Sequence, residues 1–206
     1  MIILKQKIPL PRNQINQSKA FMRITSGHDR GRRIETPKGD ATRPTTDKVR
    51  QALFNRLRSM IDAIDWNDMH VIDAFAGSGA LGLEALSNGV RSVTFFEKDK
   101  RASIVIKENI KQLGYSSRTK LYPIDCLKAD FENLDRADLI FLDPPYGLGL
   151  AAKLMHKIID TGLVHKGTIF YVEMHKDKIE PIDEEKYECI SSKQYGSIVS
   201  NLYKTK

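Results

Sequence analysis

The chain has 206 residues and a formal net charge of +7, and 41% of its residues are hydrophobic and 29% charged. This composition is typical of a globular protein of about one domain plus an appendage, and it excludes disordered, collagen-like and disulfide-rich classes. No apolar run reaches the roughly 18 residues that a membrane span needs, and the start lacks a signal-peptide pattern, so we expect a cytoplasmic protein without a membrane partner.

The N-terminal quarter carries the whole basic excess. Residues 1–58 contain 14 Lys and Arg against 4 Asp and Glu, a balance of +10, whereas residues 59–206 contain 19 against 22, a balance of −3. This asymmetry favours a polyanion-binding segment on a near-neutral body, although a solvated surface would give the same count. We therefore expect a flexible extension at 1–21, a basic appendage at 22–58 and the main domain at 59–206.

The appendage is predicted to contain a β-hairpin and a helix. The segment MRITSGHDRGRRIETP, from Met22, alternates around the turn-prone residues 27–31, as a small basic hairpin does. The run TRPTT at 42–46 supplies a hydroxyl cap for a helix. Its apolar face would consist of Val49, Leu53, Leu57 and Met60. Several cations fall largely outside this face and are expected near solvent, namely Lys48, Arg50, Arg56 and Arg58.

From residue 70 onward, strand-like and helix-like segments alternate, which is typical of a parallel sheet covered on both faces. Strands are predicted at 70–75, 93–97, 121–124, 138–143 and 168–173, and helices at 79–87, 101–113 and 150–159. The tail at 187–203 is rich in β-forming residues and is broken by Gly196, which favours a closing antiparallel pair. The expected fold is α/β, a Rossmann-like doubly wound, mostly parallel sheet with an antiparallel C-terminal strand.

The first of these strands ends in a glycine-rich turn that opens a helix, with the sequence VIDAFAGSGALG at 71–82. Gly77, Gly79 and Gly82 fit the pattern G-x-G-x-x-G, and Glu97 lies 20 residues after Gly77, where an acid could hold ribose hydroxyls. Taken alone, these features also fit a dinucleotide. Asp73 favours another cofactor, because a carboxylate there would repel a pyrophosphate and attract an ammonium group. S-adenosylmethionine presents an ammonium beside a sulfonium and carries no phosphate.

We therefore expect an S-adenosylmethionine site at the ends of the first strands. Asp125 is a candidate acceptor for the adenine amino group, although an ordinary loop acid is nearly as good an interpretation. The full predicted cofactor set is Asp73, Phe75, Ala76, Gly77, Ser78, Gly79, Glu97, Lys98, Asp125 and Cys126. Cys126 and Cys189 form no C-x-x-C pattern and have no His at ligand-like spacing, so we expect two buried thiols and no metal.

The tetrapeptide Asp143-Pro144-Pro145-Tyr146 follows a short apolar run that is typical of a buried parallel strand. The two prolines stiffen the turn and remove two backbone donors, so carbonyls and the Asp143 carboxylate form an acceptor-only pocket suited to an exocyclic amine. Tyr146 offers a flat face for a planar base. We expect these four residues to be catalytic, with Asp143 stabilising the charge on the methylated nitrogen and either Asp143 or water taking the proton. A proline-rich turn without function is the alternative.

Two stretches of the chain, DAFAGSGALGLEAL at 73–86 and FLDPPYG at 141–147, together resemble the class I S-adenosylmethionine-dependent amino methyltransferases. Two more, MRITSGHDRGRRIETPKG at 22–39 and ATRPTTDKVRQALFNRL at 41–57, closely resemble one family among them, the RsmD-type 16S ribosomal RNA guanine-N2 methyltransferases of bacteria. The resemblance runs from Met22 to about Gly196. The departure is at residues 1–21, because the family usually starts near the position of Met22. Either these residues are an extension or Met22 is the true start.

The resemblance implies methylation of one guanine amino group in 16S ribosomal RNA, bare or within a small-subunit assembly intermediate, by an enzyme that we expect to be monomeric. It implies that Asp73, Gly77, Gly79 and Glu97 contact the cofactor and that residues 143–146 contact the base. The base that carries the target amine has to leave its stack with neighbouring bases to enter such a pocket. The basic segment would then hold phosphates around the target, through Arg23, Arg30, Arg32, Arg33 and Arg43, the last of them nearer the cofactor.

Three other functions compete with this interpretation. A DNA amino methyltransferase needs the same pocket, but no segment is spare for target recognition. A non-catalytic RNA-binding assembly factor with a vestigial fold would share the basic segment and would not bind S-adenosylmethionine. An NAD-linked oxidoreductase is disfavoured by the charge of Asp73.

Overall fold

A computed structural model describes residues 21–37, 46–61 and 66–206 of the chain. Almost all of the predicted N-terminal extension, residues 1–20, therefore lies outside the described residues, as does the segment 38–45. The described strands are β1 (Phe21–Arg23), β2 (Arg33–Glu35), β3 (His70–Asp73), β4 (Ser92–Phe96), β5 (Thr119–Tyr122), β6 (Leu139–Leu142), β7 (Ile169–His175), β8 (Tyr187–Tyr195) and β9 (Ile198–Thr205). The α-helices are α1 (Asp47–Met60), α2 (Ala80–Ser87), α3 (Lys100–Leu113) and α4 (Leu150–Ile158).

Seven strands form one sheet in the order β5-β4-β3-β6-β7-β9-β8, and β1 and β2 form a separate antiparallel pair. Neighbouring strands from β5 to β7 are parallel, whereas β9 runs antiparallel to both β7 and β8. The predicted fold class is thus confirmed, including the reversed C-terminal strand and the small N-terminal hairpin with its helix. The chain adds β4 and β5 on one side of β3 and then β6 on the other, so the strand order reverses between β3 and β6, the point at which open α/β sheets form a crevice at the carboxyl ends of the strands.

Both faces of the sheet are covered, and alternate strand residues enter different cores. Val71, Leu139 and Phe141 pack with α1, α2 and α3. Ile72 and Ile140 pack with α4 on the opposite face. This alternation follows from the two-residue period of a strand, and burial on both faces explains why the strands read as continuous apolar runs. No helix in the three described ranges is long and apolar enough to cross a membrane.

Helix α1 begins as predicted with a hydroxyl cap, because the Thr46 side chain accepts from the backbone N–H of Val49 at 3.4 Å. Two predictions about its faces are wrong. Met60 was expected on the buried face and is 39% exposed, since it lies at the last helical position. Arg50 was expected near solvent and is fully buried. Its guanidinium donates to Glu84 of α2 at 3.2 Å and to the backbone carbonyl of Arg23 at 2.6 Å.

Glu84 joins the hairpin to the sheet domain. Its carboxylate, which is fully buried, accepts from the backbone N–H groups and the hydroxyls of both Thr25 and Ser26, at 2.6–3.0 Å. It also accepts from Nε of Arg50. Ile24 and Ile34, which flank the hairpin turn, enter the same core as α1 and α2. The hairpin is therefore packed on the body through a shared core and a buried ion pair.

Candidate active site

Asp73 is the last residue of β3, and its side chain is only 2% exposed. Its Oδ2 atom accepts from the backbone N–H of Gly82 in the first turn of α2, at 2.9 Å. Helix α2 can lie this close to the sheet because Gly82 has no side chain: a Cβ atom there would come within 2.3 Å of the Phe95 ring. Burial raises the pKa of Asp73 to about 7, with a smaller contribution from the charge of Glu97. The structure thus places Asp73 beneath the glycine loop and bound to the helix that the loop opens.

The raised pKa of Asp73 makes stability depend on pH in a definite direction. Because the folded-state pKa of about 7 lies above the ordinary value of 3.8, the folded chain holds this proton more tightly than the unfolded chain. The contribution of Asp73 to the free energy of unfolding is complete below the ordinary pKa of 3.8 and is lost as the pH rises through 7. Between pH 5 and pH 8, the free energy of unfolding should fall by about 3 kcal/mol more in the wild-type protein than in Asp73→Asn. Urea unfolding of both cofactor-free proteins at the two pH values measures this difference, and equal pH dependence would contradict it.

Glu97 follows β4 directly and reaches back to the glycine loop. Its Oε2 atom accepts from the backbone N–H of Gly77 at 2.7 Å, and its Oε1 atom accepts from the N–H of Asp99 at 2.7 Å. Gly77 has a φ of +54° and nothing lies within 4 Å of a Cβ atom built on it, so this side of the loop is open. The acid that the sequence places 20 residues after Gly77 thus contacts the glycine loop directly, and its role toward a ribose stays a prediction. The neighbouring Lys98 is exposed.

Asp125 and Cys126 follow β5 and line the same end of the sheet. The half-buried Asp125 caps a short 3-10 turn, since its Oδ1 atom accepts from the N–H of Leu127 at 3.0 Å. Cys126 is buried, and this burial raises the pKa of its thiol to about 12, so the thiol is neutral at physiological pH. Cys189 is exposed on β8, which corrects the prediction that both thiols are buried. The structure describes no group of three or more His, Cys, Asp or Glu in residues 21–37, 46–61 and 66–206 that could hold a metal ion.

The tetrapeptide follows β6 and lies beside the glycine loop. Asp73 is the register partner of Phe141, two residues before Asp143, so the two turns leave adjacent strands at the same end of the sheet. Asp143 and Tyr146 are half-buried, Pro144 is buried and Pro145 is exposed. The structure therefore brings together the two motifs that the sequence separates by about sixty residues.

Tyr146 is held by a residue that the sequence interpretation missed. Its hydroxyl donates to Oε1 of Glu173 at 2.6 Å, and the hydroxyl of Tyr171 donates to Oε2 of the same carboxylate at 2.7 Å. Glu173 lies on β7 and is 1% exposed. Burial, together with the hydrogen bond to Glu173, raises the pKa of Tyr146. One signal in the sequence could have indicated Glu173: it is the only acid in the apolar strand IFYVEMH. A carboxylate buried in such a strand requires hydrogen-bond partners.

Four of the five arginines predicted to contact RNA lie within the described residues, on the hairpin. Arg23, Arg30, Arg32 and Arg33 are all exposed on the hairpin, whereas Arg43 lies outside the described residues. Two of them have partners within the protein. Arg32 donates to Asp29 at 2.7 Å and to the carbonyl of Gln112 at 2.6 Å, and the Arg33 guanidinium lies 4.3 Å from the centre of the Phe21 ring.

Asn109 of α3, also missed from the sequence, joins the hairpin to the glycine loop. Its side chain accepts from the N–H of Glu35 at 2.8 Å and donates to the carbonyl of Glu35 at 2.9 Å. The same amide donates to the carbonyl of Ser78 in the glycine loop at 3.2 Å. The basic hairpin thus lies next to the loop on which the cofactor is expected.

Comparisons with known proteins agree with this arrangement. The family model described as Conserved hypothetical protein 95 matches residues 22–204. The chain is 34% identical over 194 residues to Ribosomal RNA small subunit methyltransferase D of Haemophilus influenzae, covering 92% of this chain and 97% of that protein. It is 31% identical over 182 residues to the protein of the same name from Escherichia coli, covering 88% and 89%.

Solved structures give the same result for the fold. A structure titled putative methyltransferase yhhF from Escherichia coli superposes with a TM-score of 0.75 at 30% identity, covering 91% of this chain and 99% of that chain. The architecture described above, with β9 reversed beside β7, is therefore a methyltransferase fold.

Proposed function

The chain belongs to the RsmD family, whose model is described as Conserved hypothetical protein 95, and on this basis we propose that it methylates the N2 amine of a guanine in 16S ribosomal RNA. The observation that carries the proposal is the adjacency of the glycine loop after β3 and the Asp143–Tyr146 turn after β6. A cofactor bound at one strand end would lie beside a base bound at the next.

The residues present fit S-adenosylmethionine, which supplies an electrophilic methyl group when bound. The open side of Gly77 leaves room above the loop, and Glu97 presents a carboxylate there that suits ribose hydroxyls. The Asp73 carboxylate beneath the loop, which is partly ionised at neutral pH because its pKa is about 7, favours an ammonium over a pyrophosphate, and a bound ammonium would in turn favour the ionised form. Asp125 offers an acceptor for the adenine amino group, and Phe75, Ala76, Ser78, Gly79, Lys98 and Cys126 complete the proposed cofactor set.

The turn after β6 provides the groups that act on the base. Asp143 would accept a hydrogen bond from the amine and so direct the nitrogen lone pair toward the methyl group. As the carbon–nitrogen bond formed and the bond between the methyl carbon and the cofactor's sulfur broke to leave a neutral thioether, the nitrogen would become cationic, and the nearby carboxylate of Asp143 would stabilise that charge. The proton then leaves to Asp143 or to water. Pro144 and Pro145 hold the turn rigid, and the Tyr146 ring provides a stacking surface.

An acceptor-only pocket also supports guanine over other bases. In guanine, the amino-bearing carbon C2 lies between N1, which carries a hydrogen, and N3, which does not, so the amine and N1 are neighbouring donors. In adenine and cytosine, the corresponding ring nitrogen is an acceptor, which would face the acceptors of the turn. Because Pro144 and Pro145 have no N–H to offer, the pocket favours the part of guanine where N1–H and the N2 amine both donate, between the O6 and N3 acceptors.

Transfer of labelled methyl groups tests the proposed function. The protein, incubated with labelled S-adenosylmethionine and 16S RNA from cells that lack the enzyme, should label one guanine at N2. Parallel reactions with bare RNA and with partly assembled small subunits show which of the two is the substrate. Label on DNA would favour the DNA amino methyltransferase. Calorimetry that detects no S-adenosylmethionine binding at high micromolar concentration would favour the non-catalytic assembly factor.

We propose that residues 22–58 act as the RNA-binding appendage of the domain at 59–206. The triple variant Arg23→Ala, Arg30→Ala and Arg33→Ala should weaken RNA binding by about 10-fold to 100-fold at low salt. The salt dependence of binding should fall by about one unit of slope for each residue that contacts a phosphate. The matched control replaces Lys120, Arg136 and Lys166, three exposed cations near the opposite end of the sheet. Equal loss of affinity in the control would mean that charge alone matters.

A further inference from the structure

We propose that Glu173 is a positioning residue for methyl transfer, which holds the Tyr146 ring against the target base through the Tyr146 hydroxyl. This inference rests on the proposed function, because it assigns a role to a buried acid within the same site. The function that the sequence motifs indicate needs no such acid, since the tetrapeptide already contains the carboxylate of Asp143.

The first argument is the position of Glu173 in the sheet. Phe141 pairs with Tyr171 across β6 and β7, so Asp143 and Glu173 follow at the same level on adjacent strands. The buried carboxylate of Glu173 therefore lies next to the turn formed by residues 143–146. The charge of Asp143 contributes to the raised pKa of both Tyr146 and Tyr171, which agrees with this proximity.

The second argument is the hydrogen-bonding pattern. A tyrosine hydroxyl has one proton to donate, and Tyr146 donates it to Glu173 at 2.6 Å. Hydrogen bonds to charged groups are about twice as strong as neutral ones, so this bond fixes the outer tip of the ring. Tyr171 fixes the other carboxylate oxygen from a fully buried position. The anchor of Tyr146 is thus itself immobilised.

The third argument concerns the ring plane. His175, two residues beyond Glu173, places its ring 5.9 Å from that of Tyr146 at an interplanar angle of 47°. The Tyr146 ring is therefore restrained at its hydroxyl by Glu173 and on one side by His175. Tyr146 is only half-buried, so part of the residue remains exposed to solvent. A stacking platform that cannot tilt would hold the amine at the correct distance from the methyl group.

A double-mutant cycle tests this role. Glu173→Gln should lower kcat about 10-fold with little change in the Kd for S-adenosylmethionine, because misplacement of the base affects the chemical step. If Glu173 acts through the Tyr146 hydroxyl, Glu173→Gln should have no further effect in a Tyr146→Phe background. The matched control is Glu180→Gln, a second buried acid, whose carboxylate accepts from the N–H of Ala152. This control should retain wild-type kcat. An equal loss of kcat from Glu173→Gln in both backgrounds, or no loss in either, would overturn the inference.

A second measurement does not require activity. In protein with tyrosine labelled at the ring carbon that bears the hydroxyl, the Tyr146 resonance is assigned by its absence in Tyr146→Phe. That resonance should shift in Glu173→Gln and stay in place in Glu180→Gln. If the wild-type protein methylates no RNA, the proposed function fails and the positioning role fails with it. The resonance tests the contact separately: an unmoved signal in folded Glu173→Gln overturns the hydrogen bond between Tyr146 and Glu173, and with it the inference, even where methylation is detected.

Discussion

Replacement of Asp143 by Ala is expected to lower methyl transfer by about 100-fold to 1,000-fold. The variant loses the carboxylate that accepts from the amine and stabilises the cationic nitrogen, while the glycine loop and Glu97 are untouched. The Kd for S-adenosylmethionine, measured by calorimetry, should therefore stay within about threefold of the wild-type value, because no predicted cofactor contact is removed. Single-turnover methylation of 16S RNA measures the effect on the chemical step.

Two further variants separate the roles of Asp143. Asp143→Asn keeps an acceptor oxygen and loses the charge, so its activity should fall between those of Asp143→Ala and the wild-type protein. Asp135→Ala removes an exposed aspartate that pairs with Lys120 and should leave activity unchanged. Wild-type turnover in Asp143→Ala would show that the turn does not act on the amine.

Replacement of Glu84 by Ala is expected to destabilise the protein by about 3–5 kcal/mol. Arg50 would lose its fully buried carboxylate partner, and the N–H groups of Thr25 and Ser26 would lose their acceptor. For a chain of this size, the midpoint of thermal unfolding should fall by about 10 °C or more. The effect is far larger than that of an exposed glutamate, for which Glu108→Ala in α3 is the matched control.

The cause of this destabilisation can be isolated with a cycle of Glu84→Ala and Arg50→Ala. If the cost comes chiefly from the buried guanidinium, the double variant should lose less stability than the sum of the two single variants. Strict additivity would show that the pair does not interact. Because the pair lies beneath the hairpin, RNA affinity should fall in Glu84→Ala although no exposed arginine has been changed.

The sequence predicted the sheet and the two motifs because both leave local signals. Apolar runs bounded by Gly and Pro mark buried strands, and positive φ values at Gly77 and Gly79 require glycine in the loop after β3. The predicted end of that strand, at residue 75, was two residues late, because the turn that leads into the glycine loop already begins at Ala74.

Contacts between distant elements left no such signal. Arg50 and Glu84 are 34 residues apart on different helices, and a helical pattern of apolar residues assigns a cation to the solvent face. In the same way, no local pattern in the sequence predicts that Glu173 contacts Tyr146 or that Asn109 contacts Ser78. The order of the last three strands also follows from packing, since the sequence predicts a closing pair without saying which strand joins β7.

The insertion of β9 between β7 and β8 has a consequence for folding. During synthesis, β8 emerges before the strand that connects it to the sheet, so one edge of β7 stays open until residues 198–205 have been made. Since β9 supplies partners for every residue of β7, loss of this strand would leave a row of backbone groups available for pairing between chains. Truncation within β9 is thus expected to cause aggregation, and completion of the sheet should be among the last events in folding.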